Sequence, residues 1–257
     1  MRITHLGIFT INSGRRVSRG TGWGKNILVV KVYTDEGPAG LGEAFHSLDE
    51  PIEGALRKYE RWLVGKDPTR VLHNWQAIYR GLRYPLGTAT RSALSAVEQA
   101  LWDIAGKACG LPVCKMLGGP TRDRVRLYAS AFLCQPRHFG LPGDDLVGAC
   151  RGCVEKGFTA LKFTPQPDDY PTKSPEQILR DAVARVCSVR EAVGDDVDIC
   201  LDYHGRSFSV AEAVRMAQAL EPYHPMFLEE PALTENPDSL AEAKAKTFAG
   251  HIGATID

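Results

Sequence analysis

FTALKFT (158–164), VDICLD (197–202) and PMFLE (225–229) are short apolar runs of strand character, and helical periodicity fills the stretches beside them at 144–156, 174–193 and 209–222. A further run of the same kind, VRLYASAF, lies near 125–132. Strand and helix in strict alternation imply parallel strands joined by right-handed crossovers. A closed (β/α)8 barrel takes about 250 residues, roughly 31 per unit, and the residues after Arg124 suffice for about four such units. The fold class expected is therefore α/β: an α+β cap over 1–120, followed over 121–257 by an incomplete (β/α) barrel of the TIM type with about four of eight units.

The cap announces itself differently. Residues 26–34 (NILVVKVYT) and 38–45 (PAGLGEAF) flank a turn at Asp35, Glu36 and Gly37, which predicts a hairpin. Apolar spacing near 3.6 predicts helices over 51–64 and 68–82, with Pro51 and Pro68 at their starts. A third helix over 90–108 carries Ala93, Ala96, Ala100 and Ala105 and stops at Gly110, Leu111 and Pro112. Its small residues suit a close approach to another element.

Composition narrows the function. Thirty-one basic residues balance thirty-one acidic ones, with no basic stripe, so nucleic acid is not an expected partner. No apolar run approaches the roughly 18 residues of a membrane span, and the N-terminus has no charged head before an apolar signal core; a cytoplasmic enzyme away from the membrane is expected. The seven cysteines are an odd, scattered set. Free thiols are expected, with the Cys150–Cys153 pair a helix feature rather than a zinc site, because no second cysteine or histidine pair stands at zinc spacing.

Barrel enzymes place their chemistry at the C-terminal ends of the strands. Asp202 ends one strand and Glu229 the next, so both carboxylates would face one mouth, and a hard cation such as Mg2+ takes oxygen ligands of this kind. Alternation puts Cys200, Asp202 and His204 on one face, and Glu229 with Phe227, leaving Glu230 pointing outward. The plainer alternatives are that Asp202 caps the following helix and that His204 is a turn residue bonded to backbone.

The combination of SALSAVEQALWDIAGKACGLPVCKMLGG (92–119), DYHGR (202–206) and FLEEP (227–231) resembles the mandelate racemase and muconate lactonizing branch of the enolase superfamily, in particular its galactonate dehydratase-like acid-sugar dehydratases. The resemblance implies Mg2+ held by acids on three successive strands, with Asp202 and Glu229 as the first two. It implies a small sugar-acid substrate whose proton alpha to the carboxylate is abstracted with loss of the beta-hydroxyl. His204 is then the acid that protonates the departing hydroxyl, and Arg206 of the same motif a substrate contact. The usual Lys-x-Lys pair reads Lys162, Phe163, Thr164 here, so Lys162 is left to touch the substrate carboxylate or to hold a metal ligand, and a lysine-based racemase is the alternative function. Residues 13–25 and 46–51 resemble loops that close over substrate, making Trp23 and His46 candidate contacts; Tyr170, in the loop 165–175, is not expected to reach the site. Relatives of this kind imply a homo-oligomer. The third ligand and the general base have no counterpart before the C-terminus, where Asp257 is a poor substitute. The expectation is therefore a truncated chain, inactive by itself, whose half barrel self-associates through open edges and an apolar inner face, or acts only through protein contacts.

Overall fold

In the computed structural model the described residues are 1–12, 26–45, 48–81, 87–130, 134, 136–143, 145–167, 169–207, 209–234, 236–247 and 252–253. Trp23, His46 and Asp257 lie outside them. The chain divides into two compact units, Met1–Asp123 and Arg124–Ile256.

The first unit is a three-stranded antiparallel sheet with helices. Strand β1 (Ile3–Asn12) pairs with β2 (Asn26–Thr34), which pairs with β3 (Gly40–Ala44). The expected hairpin is thus β2–β3, while β1 gave no clear alternation. The register explains why: an irregularity between Ile3 and His5 lets both Ile3 and Leu6 face the core, which breaks the period of two. Helices α1 (Asp49–Leu63), α2 (Val71–Gly81) and α3 (Thr88–Cys109) supply the other side of that core, and a short α4 (Val113–Met116) follows. Helix α3 ends on Gly110 at φ 67°, the left-handed cap glycine tolerates. Its alanines meet the glycines of β3 so closely that a Cβ on Gly42 would overlap the Ala96 carbonyl oxygen, and one on Gly40 that of Ala100. The same helix closes the outer edge of β3. Leu41 N donates to Asp103 Oδ2 at 3.0 Å, Glu43 N to Gln99 Oε1 at 3.0 Å and Phe45 N to Ser92 Oγ at 2.7 Å, so side chains of α3 replace a missing strand.

In the second unit, β4 (Ala160–Phe163), β5 (Asp198–Asp202), β6 (Pro225–Glu229) and the two-residue β7 (Ile252–Gly253) form a parallel sheet in that order. Between them run α6 (Pro175–Val193), α7 (Val210–Leu220) and α8 (Pro237–Ala245), with α5 (Leu146–Glu155) before β4. The expected strand over 125–132 does not form over its described part, 125–130, which makes one parallel bridge, Ala129 to Leu161, with Val125 and Leu127 exposed. Arg126 holds it, through Thr159 Oγ1 at 2.8 Å and Asp198 Oδ2 at 2.5 Å. Helix α8 escaped the periodicity because Ala243 is its only residue described as buried, which leaves no apolar stripe to read. The partial barrel keeps its faces distinct. Leu161, Phe163, Ile199, Leu201 and Leu228 pack with Val186, Val189 and Leu220 of the helices, so Lys162, Asp202 and Glu229 take the opposite face. No helix among the described residues is long and apolar enough to cross a membrane.

Candidate active site

Asp202 and Glu229 are Cα partners at the C-terminal ends of β5 and β6. Parallel pairing in register aims two side chains of equal parity the same way, and both are nearly buried, at 5% and 9% exposure. The ladder continues past the strands: Tyr203 N donates to the Glu229 carbonyl and Gly205 N to the Glu230 carbonyl, each at 3.0 Å. The two connecting loops therefore leave the sheet locked together. Glu230, at φ 46°, takes the left-handed bend that lets the chain turn after Glu229.

Lys162 on β4 joins them. Its Nζ lies 2.8 Å from Asp202 Oδ2 and 2.7 Å from Glu229 Oε2, so both carboxylates converge on one point of positive charge. Burial pulls the Lys162 pKa down, but the hydrogen bonds it donates to Asp202 and then to Glu229 outweigh it, and the net shift is upward. The Tyr128 ring lies 5.8 Å from the same nitrogen, and its edge meets Phe227 at a centroid distance of 6.3 Å. Tyr128 was missed in the sequence, although alternation against the buried Ala129 points it to this face.

His204 arrives by a route that strand alternation does not describe. Strand β5 ends at Asp202, and His204 sits in a turn at φ 52°. Its backbone N donates to Asp202 Oδ1 at 3.1 Å, and its ring Nδ1 lies 3.2 Å from the same oxygen. The aspartate thus holds the turn that presents the histidine. Burial lowers the His204 pKa, with the Asp202 charge opposing that shift. The Arg206 guanidinium lies 4.8 Å from the Tyr170 ring centroid.

A divalent cation fits this donor set. Two buried carboxylates already share one cationic point, and Mg2+ is commonly held by one or two carboxylates with water completing its shell. Among the described residues no group of three His, Cys, Asp or Glu side chains is placed to hold a metal ion.

Residues 7–118 match the family "Mandelate racemase / muconate lactonizing enzyme, N-terminal domain", and residues 145–252 the family "Enolase C-terminal domain-like". D-galactonate dehydratase of Ralstonia nicotianae is 37% identical over 221 residues, covering 86% of this chain and 56% of that protein. D-gluconate dehydratase of Thermoproteus tenax is 36% identical over 234 residues, 88% of this chain and 45% of its own. A mandelate racemase/muconate lactonizing enzyme-like protein from Rubrobacter xylanophilus superposes with a TM-score of 0.78 at 31% identity, covering 96% of this chain and 65% of that structure. The chain spans about half the length of the curated relatives it matches.

Proposed function

The chain belongs to the enolase superfamily, in its mandelate racemase/muconate lactonizing group, and from that membership we propose that Asp202, Glu229, Lys162 and His204 form a sugar-acid site of the dehydratase type. The observation that carries the reading is the pair of buried carboxylates in register on adjacent strands, meeting at one cationic point beside a histidine hooked onto one of them. The named dehydratase relatives supply the reaction class.

Asp202 and Glu229 would hold Mg2+ at the point where the ammonium now lies. The ion supplies electrostatic stabilisation of the negative charge that grows on a substrate carboxylate as the adjacent carbon loses its proton. Lys162 then moves from counter-cation to neighbour, within reach of the substrate carboxylate. His204 has Nδ1 turned to Asp202, so Nε2 is the atom that would deliver a proton to the departing beta-hydroxyl; burial, which lowers its pKa, makes the imidazolium a stronger donor. Loss of the alpha-proton and of the beta-hydroxyl as water leaves an enol that becomes a 2-keto-3-deoxy acid. A lysine-based racemase is disfavoured, because Thr164 stands where the Lys-x-Lys pair has its second lysine.

The four residues named here include no general base for the alpha-proton once Lys162 serves as a carboxylate contact, so we expect cation-dependent aldonate binding without turnover by this chain alone. Calorimetric titration with galactonate and gluconate, with and without Mg2+, tests it. Binding that needs Mg2+ and is lost in Asp202→Asn supports the site. Aldonate binding indifferent to both Mg2+ and that substitution overturns it, and formation of 2-keto-3-deoxy acid overturns only the expectation of no turnover.

A further inference from the structure

A cavity lies between α6 and α7, lined also by Gln166, Tyr170 and Pro171 from the chain after β4 and by Arg206 and Ser207 from the chain after β5. Its volume is about 190 Å³, below the range usual for drug-sized ligands. Ile178 and Leu179 of α6 and Met216 of α7 make its walls largely apolar. Two buried polar atoms of this lining have no hydrogen-bond partner among the described residues. Gln166 is 3% exposed and its Oε1 has no hydrogen-bond partner among the described residues. Arg206 stacks on Tyr170, and its buried Nη1 likewise has no partner among them. The other cations of the lining are engaged: Arg215 Nη2 lies 2.5 Å from Glu176, and Lys173 Nζ 2.9 and 2.7 Å from Asp169 and Asp181.

Buried polar groups in folded proteins are almost always satisfied, and a charged donor left unmet is the costlier case. We propose that this cavity is a binding site for a small hydroxy-monocarboxylic acid with a hydrocarbon body. Each part of that ligand answers one feature of the site. A carboxylate accepts from the Arg206 guanidinium, the one lining cation outside an ion pair among the described residues, and Glu212, the acid of the lining, disfavours a second negative charge on the ligand. A hydroxyl donates to Gln166 Oε1. The hydrocarbon part takes the place of water against Ile178, Leu179 and Met216. A polyhydroxylated sugar acid would leave most of its hydroxyls unpaired against these walls, so this ligand differs in class from the substrate read for the carboxylate pair, and the inference does not depend on that reading.

The test uses 3-phenyllactate as the probe, in calorimetric titration of the whole chain. Phenylpropionate lacks the hydroxyl, phenethyl alcohol lacks the carboxylate, and gluconate lacks the hydrocarbon body. The expected result is that phenyllactate binds about tenfold more tightly than either phenyl analogue, one charged or buried hydrogen bond being of that size, and that gluconate does not compete. Gln166→Leu should remove the advantage over phenylpropionate, and Arg206→Lys should weaken both acids while sparing the alcohol. Thermal melts without ligand establish that both variants are folded. Equal affinity for all three phenyl compounds, or unchanged phenyllactate affinity in both folded variants, overturns the proposal, as does effective competition by gluconate.

Discussion

Lys162 on β4 reaches past the intervening β5 to Glu229 on β6, its Nζ 2.7 Å from Oε2. On the way it also meets Asp202 at 2.8 Å, so one lysine side chain bridges the acids of two strands. A cation bound by those acids must compete with it.

Replacing Lys162 by Met should therefore act in two opposite directions. Removing one partner from a buried ionic group costs about 3–5 kcal/mol, so the metal-free protein should melt earlier. The freed carboxylates should bind Mg2+ more tightly than in the parent chain, so that added Mg2+ restores part of the lost stability. Melting curves and calorimetric titration measure both; unchanged Mg2+ affinity together with unchanged stability would mean that Lys162 does not hold the pair.

The carboxylates should also be thermodynamically coupled to the lysine. In a cycle of Lys162→Met, Glu229→Gln and the double variant, the two changes should fall short of additivity by about 1 kcal/mol or more, since each removes the reason for the other's cost. Denaturant unfolding checks this, and strict additivity contradicts the contact.

In the first unit, Gly42→Ala should destabilise by about 3 kcal/mol, because its Cβ meets the Ala96 carbonyl oxygen, a backbone atom that cannot rotate away. Gly54→Ala is the control: nothing lies within 4 Å of a Cβ there, and a helical alanine should be neutral or favourable. Equal melting of the two variants would contradict the packing of α3 on β3.

Thiol chemistry should separate the cysteines by burial. Cys109 and Cys114 are exposed, whereas Cys134, Cys150, Cys153 and Cys200 are buried. Burial pushes the Cys200 thiol up to about 11 and the Cys153 thiol up to about 12. Only the thiolate reacts, so at about pH 8 a disulfide reagent should label the exposed pair fast and the buried four on unfolding. The sign for stability follows: above the ordinary value of 9.0 the folded chain keeps protons that the unfolded chain loses, so stability should fall as pH rises from 9 towards 11. A flat alkaline limb in denaturant titrations contradicts it.

Much of the architecture was legible because burial leaves a periodic mark. PMFLE and NILVVKVYT are strands over the residues read, and the helices of 49–109 and 175–220 begin and end within a few residues of expectation. Where the pattern failed, the cause is local. The irregular register in β1 disguised a strand, α8 buries too little to show a stripe, and 125–132 has strand composition but pairs at only one described point.

For the site, spacing and residue type alone placed Asp202 and Glu229 at the ends of neighbouring strands, because in a βα repeat chain position maps onto strand end and alternation onto face. What Lys162 does there could not be read from the chain, since an ammonium on a long stem is as able to reach water as to bridge two acids. His204 likewise depends on a left-handed turn fastened by the Asp202 carboxylate rather than on parity. Local periodicity is a property of neighbouring residues and is written in the sequence; the partner of a charged side chain is chosen among groups far apart in the chain, and only the tertiary structure brings them within reach.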